Sequence, residues 1–148
     1  MNIIIEEIDP HSLELRGFTP SPSYLVQFTS QAVTGRARLV PASGLPDARP
    51  GDQFLVEVAQ ESISGFRECA KPRSQRMIPL AHAGDYEVQG VVEIVSHPSG
   101  PAGNRVTYVE ACGVLFTLEL SDMGLFRPEV GTCVEFVVHD MSLWDEAS

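Results

Sequence analysis

"GLPDARPGDQFLVEVAQESI" occupies residues 44–63 and "GLFRPEVGTCVEFVVHDMSL" occupies residues 124–143, 80 positions later. Both begin Gly-Leu, at Gly44-Leu45 and Gly124-Leu125, and both reach a turn glycine, Gly51 or Gly131. Beyond that glycine each alternates with period two. Val134, Phe136 and Val138 share one side, with Cys133, Glu135, Val137 and His139 opposite. Phe54, Val56 and Val58 mirror them, with Gln53, Leu55 and Glu57 opposite. Strict alternation behind a Pro/Gly connection is the pattern of a strand with one face on a core. The two apolar triplets are therefore expected to be inward-facing.

The offset of 80 extends backward and forward. Val26 and Phe28 match Val106 and Tyr108, Val40 matches Leu120, and Ser62-Ile63 matches Ser142-Leu143, all without a gap. This predicts an all-β fold of two similar four-stranded meanders, closing as small barrels or as one pseudo-symmetric barrel or sandwich. Strands are expected near Ser12–Arg16, Tyr24–Thr29, Arg36–Val40 and Gln53–Gln60, then near Tyr86–Ser96, Arg105–Ala111, Leu115–Leu120 and Thr132–His139. An edge strand is expected near Asn2–Ile8. "MSLWDE", residues 141–146, reads as a short turn of helix with Trp144 folding back onto a barrel end. The chain divides into a first β half (1–66), a basic connecting segment (67–84) and a second β half (85–148), with one compact domain as the alternative. The connection from Gly65 to Asp85 shows no strand pattern. In general architecture each half resembles a small barrel of the oligonucleotide/oligosaccharide-binding (OB) type, on the turn-then-strand "RPGDQFLVEV". That likeness speaks to shape and implies no activity.

Composition bounds the function. The chain has 148 residues, 43% hydrophobic, and a net charge of −10. A chain of this size can bury enough surface to fold without metal or disulfide. Residues 106–148 hold eight acids against Arg127 alone. Such a face repels phosphate backbones, which disfavours nucleic acid, and steers basic proteins. No apolar run is long enough for a membrane span, and the N-terminus "MNIIIEE" has no basic n-region, so a cytoplasmic location is expected. Cys69, Cys112 and Cys133 are odd in number and lack C-x-x-C spacing, which fits free thiols in a reducing compartment. Nine arginines against one lysine fits a GC-rich bacterial genome.

Motifs for chemistry are sparse. His11, His82, His97 and His139 show no metal-ligand spacing, so no metal and no cofactor are expected. His139, Asp140 and Ser142 are too close in sequence to assemble one triad, and His139 is expected to face solvent. No catalytic residue is assigned. Two sets of binding residues remain. The acidic set is Glu119, Glu135, His139, Asp140, Trp144, Asp145 and Glu146, an exposed face for a basic protein partner. The basic set is Arg67, Lys71, Arg73 and Arg76, an anion-binding alternative on the connecting segment. The leading expectation is a non-catalytic acidic β-domain that binds a basic protein, with a bacterial immunity or inhibitor protein as a concrete version. The alternative is a tandem small-barrel module for nucleic acid or oligosaccharide. An enzyme with its site at the seam between the halves ranks third.

Overall fold

The computed structural model describes residues 1–42, 48–69, 75–96 and 106–146. The strands are β1 (Asn2–Ile8), β2 (Glu14–Arg16), β3 (Ser21–Thr29), β4 (Thr34–Val40), β5 (Gln53–Ala59), β6 (Ser62–Glu68), β7 (Arg76–Pro79), β8 (Tyr86–Ser96), β9 (Val106–Ala111), β10 (Val114–Glu119), β11 (Cys133–His139) and β12 (Ser142–Asp145). One short helix, α1 (Leu120–Met123), follows β10. No described helix is long and apolar enough to cross a membrane.

The first sheet runs β1-β5-β12-β4-β3-β2, and an added β1–β3 pairing closes five of its strands into a barrel. The second runs β10-β9-β8-β11-β6, with β7 paired to the start of β8, and forms a half-barrel. Within each unit the first, second and third strands pair antiparallel in succession, and the fourth returns to the first. The general look is that of OB-type barrels.

The fifth strand of each unit comes from the other half of the chain. β5 turns through Gln60-Glu61 into β6, yet β6 pairs with β11. β11 turns through Asp140-Met141 into β12, yet β12 pairs with β5 and, in parallel, with β4. The exchange is reciprocal in register: Ser142 faces Ala59 in one ladder, and His139 faces Ser62 in the other. The expected duplication is thus visible in strand order, with β6 and β12 traded between halves.

Three expectations are corrected. The offset of 80 holds for β5/β11 and β6/β12 but becomes 81 for β3/β9 and β4/β10. Ile5 faces Phe28 before the bulge in β1, and Val92 faces Val109 before the bulge in β8, so Phe28 corresponds to Val109. Val26 then corresponds to buried Thr107 and not to half-exposed Val106. A one-residue slip would turn each side chain to the other face, so the equivalence includes one inserted residue in the connection from the third strand to the fourth. The skipped residues are Glu6 and Glu93, each left outside the ladder. Second, residues 65–85 contain strand: β6 runs to Glu68, and β7 covers Arg76–Pro79. Third, "MSLWDE" contains β12 and not a turn of helix. Leu143 is fully buried between β4 and β5, and burial on both sides decides the conformation of a four-residue segment with little propensity of its own.

Of the six residues expected inside, Val56, Val134, Phe136 and Val138 are buried, and Phe54 and Val58 are half-buried against the same core. That core is one cluster spanning both units, with Phe28, Leu39, Tyr86, Phe116 and Leu143 among its members. Phe136 meets Phe116 edge-on at 5.7 Å and stacks near Phe66 at 6.4 Å, separations at which aromatic pairs add to area burial. Helix α1 lies against β6 and β10, the two ends of the half-barrel, and its Met123 is buried. The three cysteines are free thiols.

Tyr86, the first residue of β8, locks the units together. It is fully buried, and its hydroxyl donates to the Arg36 carbonyl of β4 at 2.9 Å. The ring lies so close to Gly35 that a Cβ there would stand 2.1 Å from Oη. Gly35→Ala should therefore cost about 1–3 kcal/mol by overpacking, and Tyr86→Phe about 0.5–1.5 kcal/mol by removing one of the two hydrogen bonds to the Arg36 carbonyl, which keeps that from Gly84 N–H. In urea titrations the double variant should cost less than the sum of the two, because the clash and the hydroxyl are one contact. Strictly additive losses would contradict this lock.

Candidate functional site

The two crossover turns run side by side: Glu61 N–H donates to the His139 carbonyl at 3.1 Å. A third turn, residues 81–85, packs onto them. Gly84 N–H donates to the Arg36 carbonyl, and Met141 N–H donates to the Gly84 carbonyl. Gly84 has φ +89°, and a Cβ there would stand 3.2 Å from the Met141 nitrogen, so glycine meets both the backbone angle and the close approach.

Where these turns meet β2 and β4, a cleft of about 620 Å³ opens at the seam. Its lining holds four carboxylates (Glu14, Glu61, Asp85, Asp140), two arginines (Arg16, Arg38) and two histidines (His82, His139). Arg16 forms a bidentate pair with Asp140, through Nη1 to Oδ2 and through Nη2 to Oδ1 at 3.1 Å. Arg38 Nη2 stands 2.7 Å from Glu14 Oε2, and its Nη1 donates to the Ser12 carbonyl. Arg16 Nε is buried without a hydrogen-bond partner among the described residues. Asp140 carries φ +53°, a left-handed conformation that Asp tolerates better than most residues. Its N–H donates to Asp85 Oδ1 at 3.0 Å.

Burial pushes the Asp140 carboxyl up, but the hydrogen bonds from Arg16, the neighbouring Glu61 side chain and the charges of Arg16 and Arg38 outweigh it and hold the group below its ordinary value. The same pairing holds the proton of the Arg16 guanidinium more tightly.

His139 lies on the side of β11 away from the core, as expected, with its side chain 39% exposed. Its Nε2 stands 2.6 Å from Ser64 Oγ, and its Nδ1 stands 3.6 Å from Asp85 Oδ2. His82 Nδ1 is 3.9 Å from the other oxygen of Asp85. Ser64 and Asp85 thus stand beside the two nitrogens of the His139 ring. The neighbours His139, Asp140 and Ser142 do not form such a set: Ser142 Oγ instead accepts the Trp144 indole N–H.

The rest of the acidic set is scattered and largely engaged. Glu135 bonds Arg67 through Nε at 2.9 Å and Nη2 at 2.6 Å, and it accepts the Cys69 thiol. The Arg67 guanidinium, seconded by that thiol, outweighs burial and holds Glu135 below the ordinary carboxylate range. Cys69 is in turn pushed up to about 12 by burial, by Cys133 and by Glu135. Asp145 accepts the Ala42 N–H. Trp144 lies against Gly17, where a Cβ would stand 2.8 Å from the indole, so it packs on the barrel as the fold-back reading expected. Glu119 caps α1 in a capping box and is not on a strand beside β11. Glu146 is exposed. Of the acidic set, the seam cleft gathers His139 and Asp140. Of the basic set, Arg67 is held by Glu135 and Arg76 by Glu87 at 3.2 Å, while Lys71 and Arg73 lie outside the described residues, as does His97.

Ser64, Asp85, Glu14, Glu61, Arg16 and Arg38 went unmarked in the sequence. The one available signal was the pair of two-residue linkers, Gln60-Glu61 and Asp140-Met141, 80 residues apart. No protein-family model matches the chain, and it shows no significant similarity to any curated protein or solved structure.

Asp140→Asn keeps a residue suited to positive φ and removes the charge of the pair. At pH 7 it should cost about 1–3 kcal/mol, between the values for exposed and buried ion pairs. The folded-state pKa of Asp140 is depressed, so its contribution is present above the unfolded value near 3.9 and is lost as pH falls through the folded value. Chemical denaturation of both proteins at pH 7 and again below about pH 3 should show the gap closing. A gap of equal size at both pH values would contradict the ion-pair reading.

Proposed function

We propose that this chain binds a basic protein partner and that the seam cleft receives a cationic side chain of that partner. The observation that carries this reading is the cleft itself, with four carboxylates against two arginines, on a chain of net charge −10. A guanidinium suits such a lining, because its planar fork matches carboxylate oxygens in pairs. The two resident arginines already consume part of Glu14 and Asp140, and Asp85 accepts the Asp140 N–H, so Glu61 carries most of the attraction for an incoming cation. The overall acidity would hasten encounter with a basic protein. An immunity or inhibitor protein that neutralises a basic toxin fits this arrangement. The nucleic-acid or oligosaccharide alternative draws less support. Arg67 and Arg76 are each spent on a glutamate of the protein itself, and phosphate contacts would have to break those pairs.

An octa-arginine peptide is a direct probe. Calorimetric titration should show binding that weakens steeply as salt rises. Glu61→Lys should weaken it by about tenfold or more, since a close attraction becomes a repulsion. Glu146→Lys, at an exposed position away from the cleft, should change it little. Tight, salt-dependent binding of single-stranded oligonucleotides instead would transfer the assignment to the alternative reading.

A further inference from the structure

Three separate segments bring Ser64, His139 and Asp85 together, on β6, at the end of β11 and just ahead of β8. We propose that Ser64 is a nucleophile activated by His139, with Asp85 as the positioning residue, and that this site hydrolyses small carboxylic esters. This goes beyond partner binding and does not depend on it.

The geometry is that of a nucleophile, a base and an orienting carboxylate. Ser64 Oγ stands 2.6 Å from His139 Nε2, within the range at which a base takes a hydroxyl proton. With serine as donor, Nε2 is the lone-pair nitrogen and Nδ1 carries the hydrogen. Asp85 Oδ2 stands 3.6 Å from Nδ1, longer than a hydrogen bond, a separation that catalytic pairs often show before substrate binds and tighten with it. The order is the one a hydrolytic triad requires. Asp85 is itself held in place, since its Oδ1 accepts the Asp140 N–H at 3.0 Å.

The surroundings of Ser64 are open. The residue is exposed, and the following Gly65 has φ +64° where β6 shifts register against β11. A Cβ built on Gly65 would meet nothing within 4 Å. An acyl group can therefore approach Oγ from solvent, and among the described residues Ser64 lines none of the clefts at the seam, which favours short acyl chains.

The steps balance. Oγ adds to the ester carbonyl while His139 Nε2 takes the hydroxyl proton. Collapse breaks the bond to the alkoxy oxygen, and the alcohol leaves with the proton from Nε2. Water then adds to the acyl-serine, giving one proton to Nε2. The carboxylic acid departs as that proton returns to Oγ. The sum is ester plus water to alcohol plus acid.

The test uses the full chain, p-nitrophenyl acetate as substrate, and a fluorophosphonate probe mapped by peptide mass spectrometry. The expected result is probe on Ser64, absent in Ser64→Ala and His139→Ala, with hydrolysis lower by about 100-fold or more in each. Asp85→Asn should lower kcat with KM unchanged, and Asp85→Glu should restore part of the loss, which loss of folding would not do. Ser64→Ala, at an exposed position, should unfold with the wild-type urea midpoint and keeps the test decisive should the Asp85 variants misfold. Hydrolysis no faster than buffer with no probe bound, activity unchanged in Ser64→Ala, or probe on a different residue would each overturn the proposal.

Discussion

Neither half of this chain can complete its own sheet. β12 fills the place between β5 and β4, so the first barrel cannot close until residues 142–145 exist and have crossed the seam. β6 likewise leaves β5 and extends the second unit beside β11. The two units share their strands, and the core is accordingly one cluster with members from both units. Interactions of such high sequence separation cost loop entropy before they return contact energy. Precise devices at the seam therefore matter more than they would between two independent domains. Tyr86 seated against Gly35 is one, and Asp140 paired with Arg16 across 124 residues is another.

The exchange also explains what could be read in the sequence and what could not. The alternation in residues 52–59 and 132–139 reports directly on which side chains face inward, so strand character and the inward set were legible. The duplication was legible for the same reason, since turn glycines and strand phases survive divergence. The destination of a strand is different information. A two-residue linker such as Gln60-Glu61 ordinarily makes a hairpin, and nothing local says that β6 crosses to β11 instead. β12 was missed because four residues, "SLWD", carry too little pattern, and their conformation comes from burial between two strands distant in sequence. The gapless repeat failed by one residue because the extra residue sits in a connection, where periodicity gives no signal. Ser64, Asp85 and Arg16 were invisible as a group because only the crossover brings them to His139 and Asp140.

Charge was the other misleading guide. Eight acids against one base in residues 106–148 read as a free acidic surface. In the fold, bases from the first half come to meet them: Arg16 reaches Asp140 and Arg67 reaches Glu135. The uneven distribution along the chain is thus partly an internal complementarity between the halves, which the strand exchange brings together. Reversing Glu135 or Asp140 would disturb the fold as well as any surface. At the seam, Glu61 and Asp85 make no salt bridge with an arginine among the described residues.

The seam is also where the local rules of folding are broken. Asp140 sits at positive φ, Arg16 buries an Nε without a partner among the described residues, and four carboxylates crowd one cleft. A sequence selected for stability alone would not gather these features at one place, because each costs free energy and cheaper residues exist for each position. Part of the conflict has a structural cause: two crossover turns must pass each other there, and a left-handed residue is one way to make the second crossing tight. The crossing does not account for Glu61 or for the serine–histidine contact beside it. Asp85 helps to hold the second crossing through the Asp140 N–H, whereas Glu61 and the Ser64–His139 contact give the seam its acidic recess and its polar edge.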